Sequence, residues 1–270
     1  MNIPTVKLAS GHDMPVLGLG TWRMSGSECT RAVRQALELG YRHLDTAELY
    51  GNHREVGEGI QGFAREELFI TSKVPFQLLR HDDVIATCNR NLQELGTDYL
   101  DMYLIHWPDP ELPMEPTFEA LSTLVAQGKV RSIGVSNFIM SRLEKALDIS
   151  SVPICTNQVE FHPLLYQADL MQFCQSKDVV VTAYAPLGRQ KALEHPVVIQ
   201  IAAECRKTPA QVCLRWLLQK GIAVIPKSSS EARLRENLGV FGWELPEEAM
   251  SRIDAIPDQV RLVRLDIDEF

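Results

Sequence analysis

A chain of 270 residues without a polar low-complexity stretch has the size of one α/β barrel, about 250 residues, and reads as a single domain over 1–270. Its net charge of -8 gives no basic field for nucleic acid or an anionic membrane, although a local basic pocket can still hold a phosphate. No run approaches the roughly 18 apolar residues of a membrane span, and MNIPTVKLASGHDM lacks an apolar signal core; a cytoplasmic protein is expected.

The opening VKLASGHDMPVLGLGTW reads as two short extended runs around the turn ASGHD, a hairpin that caps one end of the fold and leads into a first strand, GLGT. From there strands and amphipathic helices alternate. Helix CTRAVRQALELG, apolar at Ala32, Val33, Ala36 and Leu37 and ended by Gly40, precedes strand YRHLDTA. Helix EVGEGIQGF precedes ELFITSKV, and helix DVIATCNRNLQELG precedes DYLDMYLIHW. The same rhythm pairs TFEALSTLVAQG with VRSIGVSN, SRLEKALD with CTNQVEF, and ADLMQFCQSKD with VVVTAYAP. Two helical stretches, VVIQIAAECR and PAQVCLRWLLQKG, stand before the last strand IAVIPKS. Pro209 sits just inside the second, where its missing N–H costs nothing. Eight strands, several of them β-branched, imply a parallel sheet covered on both faces.

Alternation alone fits a doubly wound sheet as well as a (β/α)8 barrel. The dinucleotide fingerprint separates them. A Rossmann unit needs a third glycine so that its backbone can approach a pyrophosphate; here Gly18-Leu19-Gly20 is followed by Thr21, Trp22 and Arg23, and there is no P-loop. The glycines read as the exit from a barrel strand. The six cysteines are scattered, with no C-x-x-C and no Cys/His cluster at zinc spacing, so reduced buried thiols and no metal site are expected.

Three segments, HLDTAELY, FITSKV and MYLIHW, each read as an apolar strand delivering polar residues at its end, about one strand-plus-helix repeat apart. Asp45, Tyr50, Lys73 and His106 then converge on one face. A carboxylate, a phenol, an amine and an imidazole together can protonate a carbonyl oxygen while hydride arrives from a nicotinamide.

The stretches MPVLGLGTW, GYRHLDTAELYGN, ITSKV, LIHWP, IGVSNF, NQVEFHP, AYAPLG, TPAQVCLRWLLQ and IPKSSSEARLRENL, in this order and spacing, resemble an aldo-keto reductase across nearly the whole length. The likeness extends to the short bacterial members that reduce 2,5-diketo-gluconate and methylglyoxal. It implies a TIM barrel and an NADPH-dependent reduction of small carbonyl compounds to alcohols. By this resemblance Tyr50 is the general acid, Lys73 lowers its pKa, Asp45 keeps Lys73 charged and oriented, and His106 directs the substrate carbonyl. Ser136, Asn137 and Gln158 hydrogen-bond the carboxamide, Tyr184 stacks on the nicotinamide, Leu187 is a further cofactor contact, and Gly20 and Thr21 lie near the dinucleotide. Asn157 is read as structural, and His43, His53 and His162 as structural or rim residues.

Lys227, Ser228 and Arg233 fall where the eighth strand passes into a helix, a place where barrels bind phosphate. Two cations and a hydroxyl suit a 2′-phosphate, which favours NADPH over NADH. Glu236 and Asn237 continue that helix toward the adenine. Trp22 and Trp107 are expected as substrate-pocket walls, Trp216 and Trp243 as packing. The segment PDPELPMEPTF and the tail IPDQVRLVRLDIDEF are short for the family, implying an open, weakly selective pocket. A monomer acting on a small carbonyl compound is expected. Two rivals remain: a cofactor-binding regulatory subunit of the kind found among channel-associated relatives, and a lyase or aldolase forming a Schiff base on Lys73 or Lys227.

Overall fold

A computed structural model describes residues 3–264, so the last six residues of the tail lie outside the described residues. The chain opens with an antiparallel hairpin, β1 (Thr5–Lys7) and β2 (Asp13–Pro15). Then follow β3 (Gly18–Gly20), α1 (Gly26–Glu38), β4 (His43–Asp45), α2 (His53–Gly59), β5 (Phe69–Val74), α3 (His81–Leu95) and β6 (Leu100–Ile105). The second half runs α4 (Glu115–Ala126), β7 (Val130–Ser136), α5 (Met140–Ile149), β8 (Ile154–Glu160), α6 (Ala168–Ser176) and β9 (Val180–Tyr184). It closes with α7 (Pro196–Cys205), α8 (Pro209–Gln219), β10 (Ala223–Val224), α9 (Glu231–Leu238) and α10 (Glu247–Asp254).

The eight strands β3 to β10 pair in chain order and all in parallel. Isolated parallel bridges Leu17 to Val224 and Gly20 to Lys227 join the last strand back to the first. That seam answers the question alternation left open: the fold is a (β/α)8 barrel. Gly20 lies on it because a Cβ there would come 2.7 Å from the Ile225 carbonyl oxygen. The glycines of GLG are thus the first barrel strand itself, packed at close quarters, and not only its exit.

Every residue of β5, β6 and β8 is buried, which explains their continuous apolar and β-branched character. α1 buries Cys29, Ala32, Val33, Ala36 and Leu37 at helical spacing. Thr208 and Gln211 form a capping box at the start of α8, with Pro209 at its first turn. The hairpin closes the floor: Leu8 and Met14 pack with Phe69 and Cys155 from the strand starts, and Ser10 meets Ser132 hydroxyl to hydroxyl at 2.7 Å. All six cysteines are free thiols, five of them buried.

Three expectations change. The last strand is paired over Ala223–Val224 only, because Pro226 has no N–H to continue the ladder. The helix expected through EVGEGIQGF stops at Gly59, and the chain turns at Gly62 with φ 87°. α10 has no counterpart in the sequence reading. Among the described residues no helix is long and apolar enough to cross a membrane, and no cluster of metal-ligating side chains occurs.

Candidate active site

Asp45 is the last residue of β4, Lys73 the penultimate residue of β5, and His106 follows β6, so three adjacent strands deliver them to one rim. Tyr50 departs from the strand-end pattern. It ends a 3-10 turn, Glu48–Tyr50, which is closed by Gly51 in the left-handed region at φ 62°. The turn folds the phenol back over the strand ends.

The fully buried Lys73 ammonium donates to Asp45 Oδ1 at 2.6 Å and to the Thr46 carbonyl at 2.8 Å, and lies 3.5 Å from the Tyr50 hydroxyl. The His106 ring stands edge-on to Tyr50, with centroids 5.7 Å apart. The four residues read from sequence are therefore together. Burial pulls the Lys73 pKa down while Asp45 opposes that pull. Burial, then the neighbouring Lys73 charge, hold His106 well below the ordinary imidazole value, so it is neutral. Its Nδ1 is buried without a hydrogen-bond partner among the described residues.

The expected lowering of the Tyr50 pKa by Lys73 needs correction. Burial raises it well above the ordinary phenol value, and Asp45 and Tyr184 push the same way. The ammonium is engaged with Asp45, whose own negative charge bears on the phenol, so desolvation governs and the proton stays on Tyr50.

The later strands supply a polar shelf. Ser136 donates to the Gln158 carbonyl at 2.7 Å, and Asn137 donates to the His106 carbonyl at 3.0 Å and to Ser136 Oγ at 3.1 Å. The Tyr184 hydroxyl donates to Asn137 Oδ1 at 2.8 Å. Gln158 turns inward and gives its amide to Asp45 Oδ2 at 2.7 Å. Asn157 exchanges hydrogen bonds with the Phe138 backbone, the structural role expected of it. Leu187 is partly buried against the core.

Beside the seam, Thr21 donates through both its N–H and its hydroxyl to the Asp45 carbonyl. Lys227 and Arg233 are exposed, and neither makes an ion pair among the described residues, whereas Arg235 is tied to Glu231 at 2.7 Å. Ser228 Oγ accepts from the Ser230 N–H ahead of α9. Glu236 gives its carbonyl to Gln211, and Asn237 is buried against the Tyr41 hydroxyl. Trp22 is 38% exposed, with the Arg23 and Arg189 guanidiniums 4.3 Å and 5.0 Å from its ring centroid, while Trp107 is buried.

Other buried polar groups were not foreseen. Glu160, at the end of β8, accepts from His162 at 2.9 Å and from the Leu262 and Val263 N–H groups at 2.8 and 2.9 Å, fastening the C-terminal segment to the rim. His43 bridges the Pro15 carbonyl and Thr71, and His53 meets Ser72 at 2.8 Å. The histidines set aside as structural are all buried and bonded within the fold.

A closed parallel barrel presenting a protonated phenol, a buried ammonium–carboxylate pair and a neutral imidazole at one rim is the equipment of an oxidoreductase acting on carbonyl groups. The model of the Aldo/keto reductase family matches residues 16–258. The chain is 44% identical over 261 residues to glyoxal reductase of Bacillus subtilis (strain 168), covering 96% of this chain and 94% of that one. The solved structure of the aldose reductase from Schistosoma japonicum superposes with a TM-score of 0.93 at 37% identity, covering 98% and 95% of the two chains. That of a candidate 2,5-diketo-D-gluconic acid reductase B gives 0.94 at 40% identity, covering 99% and 96%. The chain belongs to the aldo/keto reductase family, and it is an oxidoreductase of small carbonyl compounds that works with a nicotinamide cofactor.

Proposed function

We propose that this enzyme reduces aldehydes and ketones with NADPH, that Tyr50 is the proton donor, and that its substrates include α-dicarbonyls such as methylglyoxal and keto-sugars such as 2,5-diketo-gluconate. The observation that carries this reading is the Tyr50 hydroxyl 3.5 Å from a lysine ammonium that is itself fixed by Asp45 at 2.6 Å. A nicotinamide held there would supply the hydride for the carbonyl carbon. Tyr50 delivers its proton to the carbonyl oxygen as charge develops there, and Lys73 offsets the negative charge left on the phenolate. Neutral His106 offers an N–H to the same oxygen and sets its direction. Asp45, held by Gln158 and Lys73, keeps the ammonium in place.

The donor set suits the dinucleotide. Lys227 and Arg233 are exposed cations without acidic partners among the described residues, on the segment that also carries Ser228, and they would hold the 2′-phosphate. Gly20 and Thr21 would lie near the dinucleotide. Ser136, Asn137, Gln158 and Tyr184 would receive the nicotinamide, with Leu187 as a further cofactor contact and Glu236 and Asn237 toward the adenine. Trp22 and Trp107 would wall an open, weakly selective pocket. A Schiff-base mechanism on Lys73 is disfavoured, because Asp45 and the Thr46 carbonyl both accept from its nitrogen and hold it as the ammonium.

The test is consumption of NADPH, beside NADH, with methylglyoxal, simple aldehydes and 2,5-diketo-gluconate. Turnover with NADPH on one or more of them is expected. Tight NADPH binding with no turnover on any would replace this reading with that of a regulatory subunit.

A further inference from the structure

The turn that carries Tyr50 has almost no apolar anchorage. Leu49 at its centre is 52% exposed, and Glu48 and Tyr50 each keep part of their surface in solvent even though the phenol hydroxyl is turned inward onto Lys73. Beyond the edge-on contact of the Tyr50 ring with His106, the turn is held by polar contacts on its two flanks. On the exit side, fully buried Asn52 accepts from Thr46 Oγ1 at 2.7 Å and donates to the Thr21 and Met24 carbonyls, each at 3.0 Å. On the entry side, the Glu48 carboxylate takes three donors from α3: Arg90 Nε at 3.0 Å and Nη2 at 2.6 Å on Oε1, and Asn91 Nδ2 at 2.8 Å on Oε2.

A lone surface ion pair contributes little. Here a carboxylate with 20% of its side chain exposed meets two successive residues of one helix, one of them fully buried, through both oxygens. Such a contact fixes direction as well as distance. The helix it grips is α3, which follows β5, and β5 carries Lys73. Both partners of the Tyr50–Lys73 contact are thereby referred to the same strand–helix unit.

We propose that Glu48 is a positioning residue for the proton donor: gripped by Arg90 and Asn91, it holds the Glu48–Tyr50 turn so that the phenol hydroxyl meets the Lys73 ammonium. This rests on the reading of Tyr50 as the general acid. Glu48 touches neither substrate nor cofactor in this role and acts through Tyr50. A misplacement of about 1 Å at a reacting group is enough to cost on the order of 10²-fold in rate.

The experiment compares full-length Glu48→Ala, Arg90→Ala and Glu48→Gln with wild type, each checked for a cooperative melt. Glu48→Ala is expected to lower kcat for carbonyl reduction by about 10- to 100-fold, with KM and NADPH affinity within about twofold of wild type. Arg90→Ala should fall between the two, and Glu48→Gln, which keeps one acceptor oxygen for Arg90, should recover part of the loss. A folded Glu48→Ala enzyme with wild-type kcat would overturn the proposal, as would a parallel loss of kcat, KM and cofactor affinity. A crystal structure of the variant reads the geometry without turnover. Lengthening of the 3.5 Å Tyr50–Lys73 separation supports the proposal and an unchanged separation sinks it, even if the wild type reduces no carbonyl and the functional reading fails separately. Should Glu48→Ala not fold, Arg90→Ala and Glu48→Gln carry the same comparison.

Discussion

Gln158 and Asp45 meet across the barrel: the glutamine amide of β8 donates at 2.7 Å to the aspartate of β4, with three strands between them on either side of the ring. Lys73 holds the other carboxylate oxygen. Gln158→Leu would leave a buried oxygen without its donor, at a cost of about 1–3 kcal/mol. Urea unfolding should show a lower midpoint at unchanged slope. A midpoint equal to that of wild type would mean that this contact contributes nothing to the fold.

Tyr50→Phe removes the proton and keeps the ring. Turnover in the reducing direction should drop on the order of 10²-fold or more, while NADPH affinity, read by quenching of protein fluorescence, stays near wild type. Retained turnover would unseat Tyr50 as the donor.

Arg233→Ala should weaken NADPH roughly tenfold or more, in line with the loss of a charge-assisted hydrogen bond. NADH, lacking the 2′-phosphate, should bind as before. Calorimetric titration of both cofactors decides it, and equal losses would place the phosphate site elsewhere.

His53 gives a pH dependence of stability. It is buried, and burial is the chief cause of a pKa lowered to about 4, against an unfolded value of about 6.5. Between those values the unfolded chain binds the extra proton. The contribution is therefore fully present above about pH 6.5 and is lost as pH falls toward 4, the loss having reached about 2 kcal/mol by pH 5. His43 and His106 are lowered as well and act with the same sign. The urea midpoint should fall from pH 7 to pH 5, and His53→Gln should make that fall shallower. A slope unaltered by the substitution would assign the pH effect to other groups.

The barrel and most of the site were legible because strand ends follow the chain's own period. Asp45, Lys73 and His106 sit one repeat apart, and a parallel sheet converts that spacing into proximity. Tyr50 was found by its neighbourhood, but the turn that aims it was not, since Glu48 and Arg90 are far apart in sequence and no local pattern links them. The grip of Glu160 on the Leu262 and Val263 N–H groups was invisible for another reason: main-chain donors carry no sequence signature. The Tyr50 pKa went astray because proximity to Lys73 was counted and burial was not. The eighth strand was overdrawn because Pro226 was read as a continuation, whereas only its carbonyl joins the seam, accepting from the Gly20 N–H at 3.3 Å.

The ring is closed by its shortest member. β10 contributes two residues, and it joins β3 through only isolated bridges. Local opening follows the least-bonded path, so the amides of Gly20 and Val224 should exchange with solvent sooner than those in the middle of β6. The strand that breathes first is also the one whose continuation carries Lys227 and Ser228. With the dinucleotide held by Lys227 and Ser228 as proposed, its loading would act on this barrel as a clasp, slowing exchange at one joint of the ring and scarcely touching the far side.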